Sequence, residues 1–165
     1  MDIVALTVRA AGSVRRYALL SGCAIALALA PAAVSSVFIV NLPWVLPAGK
    51  GKATEAFMLL QSSEDAALVG VSSPVAASVA IIGPGRKGAT LDRLPLPRGE
   101  EVLLTPGKLR LRLNGLARPL KLGEQVPLVL TIEAADGSRR DITVRPEVRR
   151  RSVLEDELHE QHHHR

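Results

Sequence analysis

All four histidines of this chain fall within its last seven residues, as His159, His162, His163 and His164. Neutral imidazole is the commonest protein ligand for copper, zinc and nickel. A polar tail that holds every imidazole of the chain therefore reads as a metal-binding tract. A solvated polar end or a cloning remnant would also be polar. A purification tag, however, is usually an unbroken histidine run, whereas this tail reads His-Glu-Gln-His-His-His-Arg. Upstream, Ser152 to Glu155 fits a capping box that opens a short helix. Continued as a helix, the tail puts Glu155, His159 and His163 at i, i+4 and i+8 on one face, with His159 and His162 at i, i+3. Two imidazoles one turn apart can chelate one ion, and Glu155 or Glu160 can add an oxygen. Such N/O ligation suits Cu(II), Zn(II) or Ni(II) better than Cu(I). A helix this short is marginal in water without packing or metal.

The opposite end carries a targeting signal. Arg9, Arg15 and Arg16 form a basic start, and Tyr17 to Ala30 is uncharged and apolar. Ala30 and Ala32 supply a small-x-small pattern, which places signal-peptidase cleavage after Ala32. Leu20-Ser21-Gly22-Cys23 also fits a lipoprotein box with Cys23 lipidated, and Arg15-Arg16 is a weak twin-arginine signal. The stretch from Tyr17 to Gly49 has no charge and is long enough for an uncleaved membrane anchor, although Pro31, Ser35, Ser36, Asn41 and Pro43 interrupt it. Each version exports the body, to a bacterial periplasm or outer surface. The expected organisation is a signal peptide or anchor over residues 1–32, a β-domain over 33–148 and a charged His-rich tail over 149–165.

Cys23 is the only cysteine, so the body beyond Ala32 has neither a disulfide nor a thiol ligand. That body is long enough to bury one core unaided. Its charge is modest: the +5 of the whole chain falls to +3 once Asp2 and the three leader arginines are removed. Only Phe38, Trp44 and Phe57 supply aromatic rings in the body. Neither feature points to nucleic acid.

The body must position whatever chemistry exists, and its pattern is that of strands. Short apolar runs recur between Gly, Pro, Asn and Asp turns. They cover Val37–Val40, Glu55–Leu60, Ala66–Val71, Val79–Ile82, Glu101–Leu104, Val126–Ile132 and Asp141–Val144. Asp136-Gly137 signals a hairpin between the last two. The set predicts an all-β sandwich or barrel. Leu94-Pro95-Leu96-Pro97 is expected to be an irregular crossover, because proline cannot donate to a ladder. Leu109-Arg110-Leu111-Arg112-Leu113 alternates strictly, so its leucines should face a core and Arg110 and Arg112 should face solvent. The two arginines read either as a solvated sheet face or as an anion- or partner-binding patch. Met58, beside Phe57, reads as a core residue.

Several segments, taken in order, resemble the PCu(A)C periplasmic copper chaperones. They are Val40-Asn41-Leu42-Pro43-Trp44-Val45, Lys52-Ala53-Thr54-Glu55-Ala56-Phe57-Met58 and Ser72-Ser73-Pro74-Val75-Ala76, followed by Leu96-Pro97-Arg98-Gly99-Glu100-Glu101-Val102-Leu103-Leu104, Pro106-Gly107, Gly115-Leu116-Ala117-Arg118-Pro119-Leu120 and Gly123-Glu124-Gln125-Val126-Pro127-Leu128. The likeness runs from about Val37 to Val144. It implies a cupredoxin-like Greek-key β-fold and periplasmic copper handling, with cytochrome oxidase assembly factors or another periplasmic copper protein as partners. The departure from that family is as informative. The first ligand position of the resemblance falls near Ile82, followed by Gly83 and Pro84, and its His-x-Met pair is replaced by Arg110-Leu111-Arg112. A guanidinium stays protonated and has no lone pair for a metal. The family's ligands are therefore not transferred here, and the tail histidines are the metal-ligand candidates.

An enzyme is not expected. Nucleophilic catalysis needs a histidine held against its nucleophile, and here the imidazoles are terminal and the thiol lies in the leader. Glu64-Asp65 and Glu100-Glu101 sit in turns, and Gly83-Pro84-Gly85 lacks the rest of a phosphate loop. Two readings remain: a copper-binding protein that uses its tail, and a metal-free interaction module that docks a periplasmic or membrane partner through Arg110 and Arg112.

Overall fold

The computed structural model describes residues 36–151, so the leader, Cys23 and the four tail histidines lie outside the described residues. Among the described residues the chain is all β. Its strands, in order, are β1 (Phe38–Val45), β2 (Thr54–Ser62), β3 (Ala66–Ser72), β4 (Ala76–Ile82), β5 (Thr90–Leu91), β6 (Leu94–Leu96), β7 (Glu101–Leu104), β8 (Arg110–Leu116), β9 (Leu128–Ala134), β10 (Arg139–Val144) and β11 (Glu147–Val148). They form two sheets. The larger runs β11-β1-β2-β8-β4-β5, with β7 also paired to β2, and the smaller runs β10-β9-β3-β6. Pairing is antiparallel except between β1 and β11.

Period-two alternation builds the core between the sheets. Ala56, Met58 and Leu60 of β2 and Leu111 and Leu113 of β8 meet Leu128, Leu130 and Ile132 of β9. Met58 is a core residue, as expected. The alternate residues of β2 and β8 point to the outer face of the larger sheet. Trp44 and Phe57 stand opposite each other on that face, with ring centroids 4.5 Å apart, and both are buried.

The hairpin forms where Asp136-Gly137 predicts it. Asp136 accepts the Ser138 N–H, and Gly137 takes the positive φ (80°) that the turn requires. Three expectations are corrected. The first strand continues past Asn41-Leu42-Pro43 to Val45, because a bulge with Leu42 at φ 49° absorbs the irregular residues. Leu94-Pro95-Leu96 is a strand rather than a crossover. It occupies a sheet edge, opposite Leu68-Ala67-Ala66, where one side of the strand needs no ladder donor. Leu109 is half-buried against the core rather than fully inside it, because it lies just before β8 begins.

Candidate functional site

The alternation of Leu109 to Leu113 is real, but the face assigned to its arginines is not open water. Arg110 is only 2% exposed, and Arg112 is half-exposed. The sequence expectation of two solvated arginines is therefore wrong for Arg110. Two loops fold across that part of the outer face. One is the segment 83–88, which follows β4. The other is the excursion 105–109 between β7 and β8. Gly85 donates its N–H to the Gly107 carbonyl at 3.0 Å and joins them.

The Arg110 guanidinium lies beneath this junction and organises it. Its Nε donates to Glu55 Oε1 at 2.8 Å. Nη1 donates to the Gly83 carbonyl at 3.1 Å and to the Lys108 carbonyl at 2.8 Å, and Nη2 reaches the Arg86 carbonyl at 3.5 Å. Arg112 Nη2 donates to the same Glu55 oxygen at 3.2 Å. A buried cation persists only when paired and hydrogen-bonded, and here one carboxylate and three backbone carbonyls meet that requirement. No buried side-chain nitrogen or oxygen among the described residues lacks a partner.

Glu55 is the residue that sequence reading missed. It lies in a strand signalled by its apolar neighbours, and its role depends on register: β2 sets it directly across from Arg112 of β8. Beside this pair opens a cleft of about 360 Å³ lined by Leu46, Pro47, Ala53, Thr54, Glu55, Arg112 and Asn114. Arg112 is thus the one residue of the proposed patch with an accessible guanidinium. Ile82 is buried next to Arg110 in the ladder, and Gly83 offers only its carbonyl.

The arrangement does not fit a metal cation. The groups that converge on the position are guanidinium and carbonyl, with Glu55 Oε1 already shared by two arginines. No cluster of three or more His, Cys, Asp or Glu suited to a metal occurs among the described residues. Three carboxylates away from this position are held low by hydrogen bonds. Glu133 is held below the ordinary glutamate range by hydrogen bonds from Arg93 and Arg139, Glu124 by its hydrogen bond from Arg118, and Asp136 by its hydrogen bonds from Ser138.

Comparison with solved structures defines the class. The chain superposes on the apo PCuAC domain from PmoF1 with a TM-score of 0.57 and 18% identity, covering 68% of this chain and 92% of that one. It matches the copper-bound PCuAC domain from PmoF2 with a TM-score of 0.54 and 20% identity, over 68% and 93% of the two chains. It matches CuI-DR1885 from Deinococcus radiodurans with a TM-score of 0.53 and 26% identity, over 72% and 83%. The domain therefore has the cupredoxin-like fold of PCuAC proteins, as the sequence resemblance implies. Residues 38–144 match the family described as "Putative lipoprotein LpqE-like", and the chain belongs to this LpqE-like, PCuAC-type family. No curated protein matches it.

Proposed function

We propose that this chain is an exported copper-handling protein of PCuAC type, without enzymatic activity, in which the metal is taken by the C-terminal histidines and not by the domain interior. The observation that carries the reading is the burial of Arg110 on Glu55, Gly83 and Lys108. A permanent cation fills the place where the family resemblance puts soft ligands. The imidazoles of the chain are then confined to His159, His162, His163 and His164. Copper-bound relatives of the same fold and the lipoprotein description of the family support copper as the cargo and an exported location. Cu(II) is the favoured ion at such a tail, with zinc or nickel as weaker fits. A cytochrome oxidase assembly factor or another periplasmic copper protein is the recipient this reading implies. The partly exposed Arg112 beside its cleft favours the second reading, a metal-free module that docks a partner there.

Calorimetric titration of the full chain, and of a chain ending at Arg151, separates the two. The first reading expects one Cu(II) or Zn(II) per full-length chain with a Kd near about 1 μM or tighter, equivalent to about −8 kcal/mol. Binding should be absent from the shortened chain. Affinity should fall as pH drops through ~6.5, where a proton competes for the imidazole lone pair. No metal binding by the full chain would leave the docking reading ahead.

A further inference from the structure

The loops that enclose Arg110 present their own cations outward. Arg86 and Lys87 are exposed on segment 83–88, and Lys108 is exposed on the excursion 105–109. Arg110 binds the backbone of both loops, so these side chains stand on a fixed rim beside Arg112. Glu55 is the one carboxylate within this strip, and it is already engaged by both arginines. Asp92 lies just after β5, the edge strand that pairs with β4, and Ala80 of β4 faces Arg112.

The chain leaves the domain at the same level. Val45 pairs with Val148, and Arg149 donates its N–H to the Val45 carbonyl at 2.9 Å. Leu46, the residue just beyond β1, donates its N–H to the Glu55 carbonyl at 3.0 Å, and Glu55 faces Arg112. Arg149, Leu46, Glu55 and Arg112 thus define one row across β11, β1, β2 and β8. At about 4.8 Å per strand, Arg112 lies only about 14 Å across the sheet from the point of exit. Glu155, six residues beyond Arg149, can reach about 20 Å at roughly 3.3 Å per residue. The segment that follows the exit reads Leu154-Glu155-Asp156-Glu157-Leu158-His159-Glu160. The cleft at Arg112 has an apolar wall of Leu46, Pro47 and Ala53 and a basic wall at Arg112. A segment mixing leucine with carboxylate matches both walls.

We infer that the acidic segment 154–160 of this chain docks on the basic strip of its own domain, its carboxylates on Arg112, Lys87 and Lys108 and its leucines against Leu46 and Pro47. The contact holds His159 to His164 beside the closed interior site. Exposed ion pairs are individually weak and are screened by salt, so the docking is reversible and sensitive to ionic strength. The inference does not depend on metal at the tail, and its test is run on the metal-free protein.

The test is hydrogen–deuterium exchange of the full chain, read by mass spectrometry over peptides spanning 83–88 and 105–112. Three proteins are compared: the unaltered chain, Asp156→Lys with Glu157→Lys, and Lys87→Glu with Lys108→Glu. The altered positions on the domain are exposed, and emission from Trp44, the sole tryptophan, verifies that each variant is folded. Docking predicts exchange at least about threefold faster over 83–88 in the tail variant than in the unaltered chain. The same acceleration should appear in the unaltered chain in about 1 M salt, where the screening length is about 3 Å. Combining the two charge reversals should restore protection. Equal exchange in the unaltered and tail-reversed chains would overturn the inference. So would protection that the tail variant loses but the combined variant fails to regain, since the acids would then act on Arg150 and Arg151. Persistent protection in the tail variant that only the Lys87 and Lys108 changes remove would assign the strip to an external anion instead, and would overturn the inference as well.

Discussion

Replacing Arg110 by alanine tests the central feature of the domain. The side chain is 2% exposed and donates to Glu55 at 2.8 Å, to Lys108 at 2.8 Å and to Gly83 at 3.1 Å. Each hydrogen bond from a charged group contributes about 1.5–3 kcal/mol, and breaking a buried ion pair from one side costs about 3–5 kcal/mol. The Glu55 side chain is 25% exposed, so water can recover part of its carboxylate. That places the expected loss near the low end, at about 3 kcal/mol. At about 4 °C per kcal/mol for a domain of this size, the Tm should fall by roughly 12 °C. Urea unfolding followed by Trp44 emission measures it directly, since Trp44 packs on Phe57, and the neighbouring Ala56 pairs with Leu111, next to Arg110 on β8. Glu55→Gln keeps an acceptor and should cost less, and the two changes together should cost clearly less than their sum. Arg110→Met with Glu55→Met should regain much of the loss, because an apolar pair leaves no unpaired charge. A loss below about 1 kcal/mol for Arg110→Ala, or strict additivity with Glu55→Gln, would refute the ion pair as the lock on these loops.

Three further outcomes are expected. Gly88→Ala would place a Cβ 2.0 Å from the Gly83 carbonyl oxygen, so segment 83–88 must shift and release Arg110. A gain in protease cleavage within 84–88, together with a loss of stability, checks it. Arg93→Ala with Arg139→Ala should raise the Glu133 titration towards the ordinary glutamate range, because hydrogen bonds from these two arginines hold it down. The sign follows from the lowered folded value: the contribution is present above the unfolded pKa and is lost as pH falls through the folded one. Carboxyl-carbon NMR titration checks this, and an unmoved Glu133 would count against it. A chain ending at Arg151 should bind no Cu(I) in competition with a chelator, because the Arg110 position offers neither imidazole nor thioether.

Much of the fold is legible in the residue order. Alternation within Leu109–Leu113 and the apolar runs of β2, β3 and β9 specify two-faced strands, because strand side chains alternate faces whatever the tertiary context. Asp136-Gly137 specifies a hairpin for an equally local reason, the ease with which glycine takes positive φ. The histidines at 159–164 and the absence of any others are facts of sequence alone. Alternation says only that Arg110 and Leu111 face opposite ways, and it is silent on what covers the second face. That was decided by two loops crossing the sheet, joined at Gly85 and Gly107, and by a register that brings Glu55 to a residue 55 positions away in the chain. Pro95 illustrates the same division. Its missing N–H excludes a central strand, but only the assembled sheet supplies an edge where that donor is not required. Local geometry is written in neighbouring residues. The burial of a charge depends on partners that long-range pairing alone brings together.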